Sequence, residues 1–139
     1  MAVLLDTDFL VSFWNPAEQR HAEADAFFEE LVTGRHGRLY VTDFLVDEAA
    51  TLALRRARDP RQAVAFLRFL LGDPPPPRVL ALLRVGPDLF RAATVLFARL
   101  APRRLSFTDC TSIEVVREHR LDALVTFDSG FSGLVPTLP

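Results

Sequence analysis

The stretch AVLLDTD, residues 2–8, joins a short apolar run directly to two aspartates. The run Ala2 to Leu5 has no helical period, so it predicts a buried strand that ends at Asp6. A carboxylate at this border stands where the chain leaves the core. Asp6 and Asp8 are therefore either caps for the next element or part of a functional site.

Three more acids stand beside apolar runs further along the chain: Glu48 in VDE (46–48), Asp109 in FTD (107–109) and Asp128 in TFD (126–128). Strand ends and helix starts converge in a compact α/β domain, so the pattern predicts one carboxylate cluster. Like charges in close proximity raise each other's pKa. A bound divalent cation removes that penalty, and hard oxygen ligands favour Mg²⁺ or Mn²⁺.

Short apolar runs alternate along the chain with segments of helical periodicity, and this alternation predicts a parallel sheet flanked by helices. The predicted strands are 2–5, 39–41, 79–85, 123–126 and an edge strand at 135–138. The predicted helices start at Asn15-Pro16, Thr42, Asp59-Pro60, Gly86-Pro87 and Thr108, since each start has a capping residue or an early proline. Pro74 to Pro77 forms a stiff connector that is too short to separate domains.

Composition limits the class of protein. The 139 residues, half of them hydrophobic and 24% charged, predict one globular domain spanning 1–139. A lone cysteine, Cys110, excludes an internal disulfide and fits a reducing compartment. The chain shows neither a signal peptide nor an apolar run of membrane-spanning length, so we expect a cytoplasmic protein.

Charge gives a weaker indication of the partner. The net charge is −2, which argues against a nucleic-acid binder that works by global charge. Removing the five acids named above changes the remainder from −2 to +3. All sixteen basic residues are arginines, which suit phosphate contacts, although GC-rich coding bias explains the absence of lysine better.

Strand direction predicts where the acids meet. Ligands bind open parallel sheets at the carboxyl ends of the strands, and Asp6 and Asp128 both follow predicted strands. The path of the loop from 100 to 108 is not predicted, so the sequence does not fix the edge of the sheet at which Asp109 lies. Helical spacing turns Glu48 partly inward. Each acid also has an ordinary structural interpretation: a helix-start acid for Asp109, a turn acid for Asp6 or Asp128, and an exposed helix acid for Glu48.

The ordered set of motifs resembles the PIN-domain ribonucleases, especially the VapC-like toxins of toxin–antitoxin pairs. The matching segments are LDTDFL (5–10), Thr42 through Glu48, LSFTD (105–109) and VTFDSGF (125–131). Their order, their spacing and the chain length agree with that family, so the resemblance covers essentially the whole chain. The ordered set is more specific than any single motif.

The resemblance implies a PIN-like fold, an Mg²⁺- or Mn²⁺-dependent endoribonuclease, a homodimer and a small antitoxin partner. Carried over by position, the catalytic and metal-binding acids are Asp6, Glu48, Asp109 and Asp128, and the supporting residues are Thr7, Asp8 and Thr126. Arg103 precedes the Asp109 motif and is a candidate contact for RNA phosphate. Asp8 replaces a commoner small polar residue and Cys110 a commoner alanine, and neither change affects the four acids.

Two alternatives have other chemistry. Asp6-Thr7-Asp8 after a strand also resembles the opening motif of haloacid-dehalogenase-like phosphatases, in which Asp6 would be a nucleophile. That motif prefers Thr or Val where Leu10 stands and requires a later basic residue, usually the lysine that this chain lacks. The other alternative is a PIN-like module that binds RNA or protein without cleaving it.

Overall fold

The computed structural model of the protein describes residues 1–73 and 79–139, in which six α-helices flank a five-stranded, all-parallel sheet. The strands are β1 (Ala2–Leu5), β2 (Arg38–Thr42), β3 (Ala81–Leu83), β4 (Ala123–Val125) and β5 (Thr137–Leu138). The helices are α1 (Thr7–Trp14), α2 (His21–Val32), α3 (Asp43–Arg56), α4 (Pro60–Leu71), α5 (Pro87–Leu100) and α6 (Phe107–Glu118). The predicted α/β fold with a parallel sheet is confirmed.

The first strand lies at the centre of the sheet, in the order β3-β2-β1-β4-β5. Val3, Leu4 and Leu5 are fully buried, which explains the apolar run without alternation. Leu4 pairs with Tyr40 on one side and Leu124 on the other. Because all strands are parallel, their carboxyl ends share one edge of the sheet.

Most predicted helix starts are correct. The Thr42 hydroxyl accepts from the Leu45 amide at 3.0 Å and caps α3. The Asp59 carboxylate accepts from the Arg61 amide at 2.9 Å and caps α4, with Pro60 at the first helical position. Gly86 and Pro87 start α5 as expected.

The predicted helix start at Asn15-Pro16 is wrong. Asn15 ends α1: its amide donates to the Val11 carbonyl, and its side chain accepts from the Ala17 amide at 3.0 Å in a turn. The next helix, α2, begins six residues later, at His21. Helix α1 was not predicted, although Phe9, Leu10 and Phe13 have helical spacing.

The cap of α6 and two strand lengths also differ from expectation. Ser106 rather than Thr108 caps α6. Strand β3 is shorter than the predicted 79–85, and β5 shorter than the predicted 135–138. The predicted connector, Pro74 to Pro77, lies outside the described residues.

Helix packing encloses one core around the sheet. Helix α1 packs on α2 and α3, α3 packs on α4, and α5 packs on α6, which also touches α3. The apolar face of α2 is buried through Ala24, Phe28 and Leu31. Across 1–73 and 79–139, no helix has the length and apolar character needed to cross a membrane.

One tight approach at the amino end of the sheet gives a stability prediction. Gly34 and Gly37 both have positive φ, +86° and +76°. A Cβ at Gly37 would collide with the Met1 carbonyl group, whereas a Cβ at Gly34 has nothing within 4 Å.

We expect Gly34→Ala to lower the free energy of unfolding by about 1 kcal/mol through backbone strain, and Gly37→Ala to lower it clearly more. Urea unfolding of both variants measures the difference, and equal costs would contradict the steric argument.

Candidate active site

Five acids lie together at the carboxyl edge of the sheet. Asp6 follows β1, Asp8 is in the first turn of α1, Glu48 is on α3, Asp109 is in the first turn of α6 and Asp128 follows β4. Burial is the main cause of the raised pKa of Asp6 and of Asp109, and their neighbours add to it: Asp8 and Asp109 raise the pKa of Asp6, and Glu48 and Asp128 raise that of Asp109. This set is called the acid cluster below.

Asp6 is the most buried member of the acid cluster. Its relative exposure is 5%, and its amide donates to the Val125 carbonyl at 2.9 Å, which extends the ladder between β1 and β4 by one residue. Burial raises the pKa of Asp6 well above its usual value, and the charge of Asp8 raises it further. The Thr126 hydroxyl donates to Asp6 Oδ2 at 2.8 Å and opposes the rise.

Thr126 connects three members of the cluster through one hydroxyl. Its Oγ1 lies 2.8 Å from Asp6 Oδ2 and 3.2 Å from Asp8 Oδ1, and accepts from the Asp128 amide at 3.0 Å. A hydroxyl has one proton to donate, so Asp6 and Asp8 compete for it. Burial also raises the pKa of Asp8, while amide contacts from Phe127 and Phe9 lower it.

Asp109 has a structural and a site role at the same time. Its Oδ2 accepts from the Ser106 amide at 2.9 Å, and its amide donates to Ser106 Oγ at 3.0 Å, which forms a reciprocal capping box. Burial nevertheless raises the pKa of Asp109. The helix cap fixes the direction in which this carboxylate faces the cluster.

Asp128 and Arg103 shape the loop after β4. Asp128 Oδ1 accepts from the Gly130 amide at 2.8 Å, and a Cβ at Gly130 would crowd that same oxygen at 3.0 Å. Arg103 Nη2 donates to the carbonyls of Gly130 and Ser132 at 2.7 and 2.9 Å. The guanidinium proposed for RNA therefore also holds this loop.

Glu48 occupies the other side of the cluster. It lines an open cleft along α3 together with Asp47, Thr108 and Arg55. Glu48 is half-buried and Asp47 is exposed, which agrees with the predicted inward turn of Glu48. The structure thus places Glu48 next to the β2 side of the acid cluster.

Two buried hydroxyls flank the acids in sequence. Thr7 Oγ1 and Ser112 Oγ have no hydrogen-bond partner within the described residues. Thr7 follows Asp6 directly, and Ser112 shares a helix face with Asp109 one turn away. Thr7 was predicted as a supporting residue, whereas Ser112 and Ser106 were not. The Ser-x-x-Asp spacing of a capping box is a sequence signal for Ser106.

Comparison with known proteins agrees with this fold. The model of the PIN domain family matches residues 3–134. A VapC ribonuclease of Archaeoglobus fulgidus is 33% identical over 139 residues, which cover 99% of this chain and 83% of that protein.

Solved structures give the same answer for the fold. VapC20 of Mycobacterium tuberculosis, a sarcin–ricin-loop-cleaving toxin, superposes with a TM-score of 0.81 at 26% identity, covering 94% of this chain and 92% of that chain. VapBC2 of Rickettsia felis, crystallised with a fragment of promoter DNA, gives a TM-score of 0.71 at 14% identity, covering 99% and 98%.

The match to the PIN domain model spans most of the chain, from the first strand to the segment after β4. The chain belongs to the PIN domain family. Within that family it is a VapC-like protein, of the nuclease class of hydrolases.

The raised pKa of Asp6 gives a prediction about pH and stability. A folded-state pKa above the unfolded value contributes stability that is present below about pH 3.9 and is lost as pH rises through the folded pKa. Asparagine at position 6 cannot ionise, so Asp6→Asn avoids the stability that the parent loses when Asp6 ionises in the folded state. Without divalent cations, we therefore expect the variant to be more stable than the parent at pH 7. The gain should shrink as pH falls towards 4.

Chemical unfolding in EDTA across this pH range measures the effect, with Asp25→Asn on the exposed face of α2 as the matched control. If the stability difference between Asp6→Asn and the parent does not change with pH, or if Asp25→Asn is stabilised equally, then ionisation of Asp6 does not destabilise the fold.

Proposed function

We propose that this protein is an Mg²⁺- or Mn²⁺-dependent endoribonuclease that hydrolyses RNA phosphodiester bonds. The observation that carries the proposal is the acid cluster, in which Asp6, Asp8 and Asp109 are held with raised pKa at the edge where parallel sheets bind ligands. Membership of the PIN domain family supports the same activity.

The residues present fit a hard divalent cation. The donor set consists of carboxylates with nearby hydroxyls, one of them the unpaired Thr7 Oγ1. Among the described residues, no three acids, histidines or cysteines enclose an ion by themselves. Mg²⁺ sites in phosphoryl chemistry commonly use one or two carboxylates and complete the shell with water and substrate phosphate. An open cluster of this kind suits that arrangement.

Each side chain has a proposed task. Asp6 and Asp109 would be the main metal ligands, with Glu48 and Asp128 on either side. When bound, the cation would supply charge neutralisation at the phosphate and activation of water. Thr126 holds the carboxylates of Asp6 and Asp8 in place, and Ser106 fixes Asp109, so the protein supplies a preorganised geometry.

The partners follow from the relatives. VapC20 cleaves the sarcin–ricin loop, so a hairpin of that kind is a candidate substrate here, beside other single-stranded or looped RNA. The similarity to VapBC2 supports an antitoxin partner. We propose that this partner is small and covers the acid cluster. An antitoxin arginine against these carboxylates would suit their charge.

A homodimer is also proposed, through a surface of four phenylalanines. Phe44, Phe90, Phe97 and Phe107 form a ring cluster with centroid separations of 5.2 to 6.2 Å. Phe90 and Phe97 are 48% and 43% exposed, although apolar rings normally contact protein. This phenylalanine surface joins α3, α5 and α6 next to the acid cluster.

The activity prediction uses conservative variants. Purified protein should cleave total cellular RNA or a sarcin–ricin hairpin with added Mg²⁺ or Mn²⁺, and EDTA should stop the reaction. Asp6→Asn and Asp109→Asn should each lower the rate by about 10²-fold or more, because a lost ligand displaces the reacting groups. Asp25→Asn, the same change on an exposed helix face, should cleave like the parent.

A binding measurement separates this proposal from a silent RNA-binding module. At about 100 times the dissociation constant, Mn²⁺ should stabilise the parent by about 2.7 kcal/mol, and both site variants should show smaller shifts in thermal unfolding. Cleavage that is independent of metal and equal in all variants would reject the enzyme proposal.

The dimer prediction compares two sites on α5. Phe97→Glu places a charge in the phenylalanine surface and should convert a dimer into a monomer, as measured by light scattering after gel filtration. Val95→Glu introduces the same charge at a more exposed position, 66% accessible, on another side of the helix and should leave the oligomeric state unchanged. An unchanged dimer in Phe97→Glu would exclude this surface.

A further inference from the structure

Arg20 stands beside the acid cluster on the side away from Glu48. Its guanidinium carbon lies 3.8 Å from the centroid of the Phe127 ring, a cation–π contact. Phe127 joins Thr126 to Asp128, and its ring rests on Phe9 at 5.6 Å between centroids. A fixed positive charge therefore stands over the segment that carries two residues of the site.

The guanidinium of Arg20 is oriented but only partly engaged. Nε and Nη2 donate to the Glu23 carboxylate at 3.0 and 2.9 Å, and both side chains are about half exposed, 46% and 50%. Exposed ion pairs contribute little to stability, about 0–1 kcal/mol, so Glu23 does not hold Arg20 strongly. Within the described residues Nη1 has no partner, which leaves donors for an anion.

An open cleft connects Arg20 to the acid cluster. The segment 126–129 lines it together with Arg20, Glu23, Thr137 and Pro139. The cleft lies on the β4–β5 side of β1, whereas the cleft of Glu48 and Arg55 lies on the β2 side. A strand of RNA that crosses the acids thus leaves the cluster past one of these two arginines.

Other arginines near the site are less suited to a phosphate. Arg103 Nη2 already donates hydrogen bonds to two carbonyls of the loop after β4. Arg55 lies in the last turn of α3 and has no ion-pair partner in the described part of the chain, so no such contact orients its guanidinium. Stacking on Phe127 gives Arg20 a defined plane, which lowers the entropy lost on binding a phosphate.

We propose that the cleft of Arg20 and Phe127 binds an RNA phosphate next to the one that is cleaved, with Arg20 as a positioning residue. The inference rests on the proposed ribonuclease function and adds the direction in which the substrate strand leaves the acids. Glu23 then has a definite effect: it orients Arg20 and competes with RNA for the same guanidinium.

The test measures binding of a short fluorescent single-stranded RNA of mixed sequence in an Asp109→Asn background, so that the probe stays intact. Arg20→Ala should weaken binding about five- to tenfold and reduce the slope of log K against log salt by about 0.7, the value for one lost phosphate contact with a single strand. In the otherwise unchanged enzyme, Arg20→Ala should raise KM with little change in kcat.

Two matched controls isolate the site. Arg35→Ala removes the same charge in the turn after α2, at a more exposed position (73% against 46%), and should leave affinity and salt slope unchanged. Glu23→Gln should tighten binding, whereas Glu29→Gln, the same change on the same helix, should have a smaller effect. Thermal unfolding of each variant verifies that the fold is kept.

Equal affinity and slope in Arg20→Ala and Arg35→Ala would overturn the inference, as would weakened binding in Arg55→Ala alone. The proposed function fails separately: in that case the unsubstituted protein cleaves no RNA with either metal. If it cleaves RNA and Asp6→Asn abolishes cleavage while Arg20→Ala has no effect, only the path of the strand is wrong.

Discussion

One backbone hydrogen bond, from the Asp6 amide to the Val125 carbonyl, determines where the central strand ends and the site begins. It pairs the chain one residue beyond β1 with β4 and so brings the Asp6 carboxylate to the Thr126 hydroxyl. A register shift by one residue would turn each side chain of β1 to the opposite face of the sheet. The two segments, 120 residues apart in sequence, are thus joined by the same ladder that forms the core.

The position of Asp6 has an energetic consequence. A carboxylate at 5% exposure loses most of its hydration, and neighbouring negative charges increase the cost of ionisation. One hydroxyl of Thr126, shared between Asp6 and Asp8, offsets only part of this cost. The fold therefore holds a site that is electrostatically unfavourable by itself and favourable once a cation or a cationic partner arrives, which is typical of functional sites.

Local signals explain which parts of the fold were predictable. The buried run of β1, the Thr42 cap and the Asp59-Pro60 start depend on neighbouring residues, and the sequence analysis identified them correctly. Asn15-Pro16 has the same composition as a helix start, but here the Asn15 amide completes α1 and its side chain closes a turn. The choice between these outcomes depends on α1 packing against α2 and α3, which no local pattern encodes.

The positions of the acids were predictable for a different reason. Parallel strands bring their carboxyl ends to one edge, so acids after β1 and β4 had to approach each other. Arg20 was not predictable, because it lies 107 residues before Phe127 in sequence and only the tertiary fold stacks the two. Arg103 was chosen because it precedes the Asp109 motif, and proximity in sequence did not reveal its bonds to the loop carbonyls.

Two acids of the cluster also maintain the backbone around them, and this limits how their roles can be separated. Asp109 accepts from the Ser106 amide and Asp128 from the Gly130 amide, so one oxygen of each carboxylate has a local partner. Alanine at either position would remove a cap or a turn contact of about 1 kcal/mol together with a carboxylate of the acid cluster. Asparagine keeps the local acceptor and removes the charge. The geometry therefore makes the amide variants the ones whose loss of activity reports on the chemistry of the site rather than on its folding.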